Sequence, residues 1–180
     1  MKWLCYISLL ALCIVQCRPK PEYGTTQFSG KPEVPASVKK MHEDLLEKIH
    51  TIALFQDSTG RAAKKVAELM EHHFKEEEDY VLTPLGILPL LAAGNLPGQS
   101  PEIILLTEKL KAQSAHINAE HQLLKAFMAG LTEIAATENH PGIAAFEKEL
   151  HAHAQLEEEV LFPTAILVGE FLKLKATPPK

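Results

Sequence analysis

"EHHFKEEEDYVLTP" (71–84) sets two histidines one helical turn ahead of three glutamates and an aspartate, and closes on proline. Residues four apart on a helix share a face, so His73 and Glu77 can aim an imidazole and a carboxylate at one point. A second passage, "HAHAQLEEEVLFP" (151–163), repeats the device with His153 and Glu157. Each passage runs into a VLxP tetrapeptide, "VLTP" at 81 and "VLFP" at 160, whose proline is expected to end the helix.

The repeat extends outward. The step from His42 to His73 matches the step from His121 to His153 to within one position. His42 is followed by apolar residues at +3, +7 and +10 (Leu45, Ile49, Ile52), and His121 by Leu124, Met128 and Leu131 at the same offsets. That spacing is helical, so the chain reads as two helical hairpins of one design.

From Ser37, an expected N-cap, the pattern stays helical. One segment covers about 38–56 and is broken by "QDSTG". The next covers about 60–82 and ends before Pro84, with a short apolar extension, "LGILPLLAAG", behind it. After the loop "GNLPGQS", Ser100-Pro101-Glu102 supplies a cap with proline at the first helical position, and a third segment follows to about 135. "TENHPG" breaks it, a fourth segment spans about 141–162, and "TAILVGEFLKL" closes the chain. Four long helices without strand patterns predict an all-α fold: an up-down-up-down four-helix bundle, over 37–175, with a short C-terminal helical extension.

Register then sets heights. His42 before Ser58 in the first turn, and His73 after it, are equally far from that turn to within one position. At ~1.5 Å per residue both stand roughly 22–24 Å from it. The step from His73 to Gly94 equals the step from Ser100 to His121. His153 follows Pro141 more closely than His121 precedes Thr137, by about one helical turn, which is a looser match. All four histidines can thus share one layer, with Glu77 and Glu157 among them. Buried carboxylates are costly unless neutralised or coordinated. Imidazoles with carboxylates suit Fe, Mn, Zn or Cu rather than Ca or Mg, and bundle cores are where facing helices build two-metal sites.

At these residues the chain resembles the hemerythrin-like HHE cation-binding domain, in the order His, HisxxxGlu, His, HisxxxGlu over about residues 36–165. "HHFKEEE" and "HAHAQLEEEVLFP" look like that family's second- and fourth-helix motifs. The resemblance implies a non-haem di-iron site, two bridged Fe per chain, that binds O2 or a related diatomic such as nitric oxide. It carries His42, His73, Glu77, His121, His153 and Glu157 over as metal ligands. Two departures stand out. The oxygen-carrying members have a fifth histidine one turn from the third-helix one, where this chain has Lys125 or Ile117; His116 is five residues away and roughly 140° round the helix. Their fourth-helix carboxylate stands at +5, which here is Glu158. The site therefore resembles four-histidine variants, and sensing, scavenging or redox work is favoured over stable O2 carriage.

Other histidines compete on paper. His116 with Glu120 lies on a partly apolar stripe (Leu105, Ala112, Leu123, Phe127) that Lys109 interrupts, and could replace or join His121. His72 with Glu76 reads as an exposed ion pair. His50, His140 and His151 read as packed or solvated, and Glu76, Glu78, Asp79, Glu158 and Glu159 as solvated faces. Phe74 and Tyr80 read as core that could also line a pocket.

The rest bounds the function. A net charge of −5 argues against nucleic acid. Lys2 followed by the apolar run "WLCYISLLALCIV" (3–15) reads as an export signal over 1–17, too short to span a bilayer. "IVQC" resembles a relaxed lipobox, which would tether the chain to a membrane through a lipidated Cys17 as a periplasmic or membrane-anchored lipoprotein. All three cysteines, Cys5, Cys13 and Cys17, lie in that region, so no disulfide is expected in the domain. Residues 18–36, with four prolines, read as a flexible linker. The competing functions are iron or zinc storage, and a di-iron redox enzyme acting on peroxide or nitric oxide. The oligomeric state has no sequence signal.

Overall fold

The computed structural model describes residues 32–98 and 100–176, and the regular structure among them is all helical. The long elements are α1 (Ala36–Ala53), α2 (Ser58–Glu76), α4 (Ser100–Thr137), α5 (Ile143–Leu156) and α6 (Phe162–Ala176). A π-turn (Glu77–Val81) extends α2, and a 3-10 turn (Thr83–Ile87) leads into the short α3 (Leu88–Ala92). A second π-turn (Glu157–Leu161) joins α5 to α6. α2 packs between α1 and α4, and α4 packs on α2, α5 and α6.

The helix ends follow from local chemistry. α2 is capped by Asp57, which accepts from Gly60 N–H at 3.1 Å. α1 begins at Ala36 behind Pro35, without the side-chain cap expected of Ser37. The break after α4 uses Asn139 at φ 62°, a left-handed position asparagine tolerates, and His140 N–H closes back on Ala135 O at 2.8 Å. Gly94 at φ 79° ends α3 in the same way, with Asn95 N–H on Leu90 O at 3.1 Å.

The apolar core comes in blocks. One block draws on α1, α2, α4 and α5 and includes Leu45, Ile49, Met70, Phe74, Leu124, Met128 and Phe146. Another gathers Val34, Val38, Tyr80, Leu85, Leu110, Ile117, Phe162 and Ala165. His42 falls between Val38 of the second block and Leu45 of the first, and His121 falls between Ile117 and Leu124. A polar layer is therefore sealed above and below by apolar side chains, each contributing roughly 1.5–3 kcal/mol on full burial.

Three expectations change. Pro84 does end its helix, but Pro163 does not: it is the second residue of α6, where its missing N–H costs nothing. The π-turn before it makes this work, because Phe162 N–H already closes on Glu157 O. The C-terminal piece is thus a continuation of the fourth helical run. It is packed, with Val168 and Leu172 buried and Gly169 so close to α4 that a Cβ there would collide with Thr107 Oγ1. Val34, which sequence assigns to the linker, is buried in the core. The export signal, Cys17 and the linker up to residue 31 lie outside the described residues. No helix among the described residues is long and apolar enough to cross a membrane.

Candidate metal centre

His42 comes from α1, His73 and Glu77 from α2 and its π-turn, His121 from α4, and His153 and Glu157 from α5 and its π-turn. The fold brings all six together, and all are buried: His153 is 7% exposed, the other three histidines 1% and both glutamates 0%. They fall into two groups whose ligand atoms lie within 4.8 Å of one another, His42, Glu77, His153 and Glu157 on one side and His73, Glu77, His121 and Glu157 on the other. Both carboxylates belong to both groups.

The Nε2 atoms converge. His73 Nε2 lies 3.3 Å from Glu77, and His153 Nε2 lies 3.0 Å from Glu157. His42 Nε2 stands 3.6 Å from Glu77 and 3.3 Å from Glu157. His121 Nε2 stands 3.6 Å from Glu77 and 3.4 Å from Glu157. Despite this crowding, the Nε2 atoms of His73, His121 and His153, both oxygens of Glu77 and one of Glu157 are buried without a hydrogen-bond partner. A buried polar atom left unpaired costs about 1–3 kcal/mol. Six at one point, all of types that ligate transition metals, fit a cation cluster.

The outward ring nitrogens are anchored. His42 Nδ1 faces Glu78 at 2.9 Å, His73 Nδ1 faces Glu120 at 3.0 Å, and His121 Nδ1 faces Glu158 at 2.7 Å. A carboxylate at Nδ1 fixes the ring with Nε2 inward and makes that nitrogen more basic. Glu78 and Glu158, expected on solvated faces, thus orient the site, and so does Glu120. Position was a sequence signal for two of them: Glu78 and Glu158 each directly follow a site glutamate, in both halves of the repeat, and Glu158 also holds the +5 position noted above. Glu120 carried no such mark.

Electrostatics follow the same geometry. Burial pushes His42, His73 and His121 down, but the carboxylates against their rings override it and hold all three up: Glu157, Glu77 and Glu78 at His42, Glu77 and Glu120 at His73, and Glu157 and Glu77 at His121, which stands at about 10. Burial alone would raise Glu157, yet the imidazoles of His121, His153 and His42, 3.0–3.4 Å from its oxygens, hold it well below the carboxylate range. The cluster is neutralised either by protons on its imidazoles or by cations in their place.

Aromatic rings close the site. Phe74 stacks on His42 at 4.1 Å and 6°, and Phe162 lies over His121 at 5.7 Å and 20°. Here the two halves of the repeat part company. Phe74 follows His73, whereas its counterpart after His153 is Ala154. Beside Ala154 is a cavity of about 10 Å³ lined by His73, His121, His153, Glu157, Lys125 and His151, among others. That is about the volume one water needs. Lys125, at the position of the absent fifth histidine, pairs with Glu158 at 3.2 Å. His151, expected to be merely packed or solvated, also lines this cavity, and its Nε2 is buried without a hydrogen-bond partner. His116, the rival of His121, stays outside with half its side chain exposed.

A family model described as the hemerythrin HHE cation binding domain matches residues 35–165. "Uncharacterized protein ORF23" of Ostreid herpesvirus 1 (isolate France) is 39% identical over 57 residues, which cover 30% of this chain and 4% of the viral protein. No solved structure matches the chain.

Proposed function

Because the chain belongs to the hemerythrin HHE cation-binding family, we propose that it is a non-haem di-iron protein that binds, senses or scavenges O2 or a related diatomic such as nitric oxide outside the cytoplasm. The observation that carries this reading is the sharing of both buried carboxylates between two histidine pairs. His42 and His153 would hold one iron, His73 and His121 the other, and Glu77 and Glu157 would bridge them. Six protein groups around two irons leave coordination positions open, and the irons would supply a redox-active centre for a diatomic ligand. In this reading the long helical runs alternate up-down-up-down, and the N-terminal run exports a chain tethered through Cys17.

The chain's own groups set access. Phe74 covers the His42 side, while Ala154 leaves the cavity of about 10 Å³ beside His121 and His73. Such a space holds about one water and is too small for an organic substrate, which favours binding of a small ligand over an enzyme for such a substrate. Storage alone would require no such opening.

The test is metal content with visible and near-ultraviolet spectra, in air and with azide. About two irons per chain and charge-transfer bands that shift on azide are expected. Ala154→Phe should keep the iron and lose the azide shift. Full iron retention in both His73→Ala and His153→Ala, or zinc-only content without bands, would sink the reading.

A further inference from the structure

Outside the interior cluster, α2 and α4 face each other through a second pair of HisxxxGlu motifs, His72 with Glu76 and His116 with Glu120. The closest contacts of both histidines cross between the helices, and His116 also reaches its own partner Glu120. His72 Nδ1 stands 3.3 Å from Glu120 Oε1, and His116 Nε2 stands 3.2 Å from Glu76 Oε2 and 3.6 Å from Glu120 Oε1. The ligand atoms of His72, Glu76 and Glu120 all lie within 4.8 Å of one another. We propose that His72, Glu76, His116 and Glu120 form a second, solvent-facing site for one divalent transition ion, separate from the interior pair.

Each carboxylate is already held in place by its other oxygen. Glu76 Oε1 accepts from the buried Tyr80 hydroxyl at 2.7 Å, leaving Oε2 toward His116. Glu120 Oε2 faces His73 Nδ1 at 3.0 Å, leaving Oε1 toward His72 and His116. Two fixed carboxylate oxygens therefore sit between two imidazoles, the donor set that takes zinc, ferrous iron or copper over calcium or magnesium. The imidazoles are the adaptable half: His72 is 70% exposed and His116 48% exposed, so each can swing onto an ion without disturbing the core. Glu120 touches both sites, so a cation docked outside is felt at His73, one of the interior ligands.

Zinc is the probe. Equilibrium dialysis against Zn²⁺ followed by metal analysis would compare the full chain, a His72→Ala/His116→Ala variant and a His42→Ala/His153→Ala variant. The outer double variant should bind one zinc fewer, or bind that one at least tenfold more weakly, with its helix content unchanged. The interior double variant should keep the outer zinc, which separates this site from the interior one whether or not the interior holds iron. Zinc uptake by the outer double variant equal in number and affinity to the unaltered chain would overturn the proposal.

Discussion

Glu157 and Glu158 are neighbours in sequence with different work. Glu157 is fully buried among the imidazoles, whereas Glu158 stands at the edge, 2.7 Å from His121 Nδ1 and 3.2 Å from Lys125. Burial alone would raise Glu158, but hydrogen bonds from His121 and Lys125 hold it below its ordinary range, so it remains a carboxylate that keeps the ring's Nε2 inward. Such supporting groups are worth roughly 10–100-fold in metal affinity. Glu158→Gln is expected to weaken iron binding by about that factor without loss of helix by circular dichroism, while Glu159→Gln should leave it unchanged. Equal iron affinity in the two variants would remove the orienting role. Helical periodicity placed Glu158 on a solvated face because it assumes α-helical spacing throughout. The π-turn that starts at Glu157 departs from that spacing.

At the scale of elements, the turn between α1 and α2 is clasped to the turn between α4 and α5. Glu138 accepts from Ser58 N–H at 3.0 Å, Thr59 N–H at 2.7 Å and the Thr59 hydroxyl at 2.6 Å, so it caps α2 from the turn that follows α4. Asp57 completes the clasp by taking His140 Nε2 at 2.7 Å, and His140 stacks on Phe55 at 4.5 Å. The Thr59 hydroxyl and the backbone donors hold Glu138 down to about 2 from 4.5. A depressed carboxylate stabilises the fold above its unfolded value and loses that contribution as pH falls toward the folded one. Denaturant titrations should therefore show stability falling from about pH 4.5 toward pH 2, and Glu138→Gln should lower stability at neutral pH and flatten that limb. An unchanged acid limb in the variant would show that Glu138 does not carry it. "QDSTG" and "TENHPG" mark both turns in the sequence, but nothing in either hints that they meet.

For the whole molecule, the apolar blocks on either side of the histidine layer contain no histidine, cysteine or carboxylate, so their packing does not depend on a cation. Bound metal adds stability by mass action, ~2.7 kcal/mol at a concentration 100 times Kd, which for a chain of this size is roughly 5–10 °C in Tm. Chelation should lower Tm by that order while leaving the far-ultraviolet circular dichroism helical. An unchanged Tm would mean that the site holds no metal, and complete unfolding would mean that the core cannot stand alone.

The all-helical class, the two-hairpin repeat and the six residues of the central layer were legible in spacing alone. They rest on intervals along one helix and on counts between turns, which the constant rise and rotation per residue of an α-helix convert directly into position. Other features waited on which helices face each other and how closely. Those are the three outer glutamates at Nδ1, the cavity left where Ala154 replaces a phenylalanine, the crossing of His72 and His116 onto each other's carboxylates, and the run of the fourth helix past Pro163. Each is a contact between residues far apart in the chain or a departure from regular helix, and a periodicity carries neither.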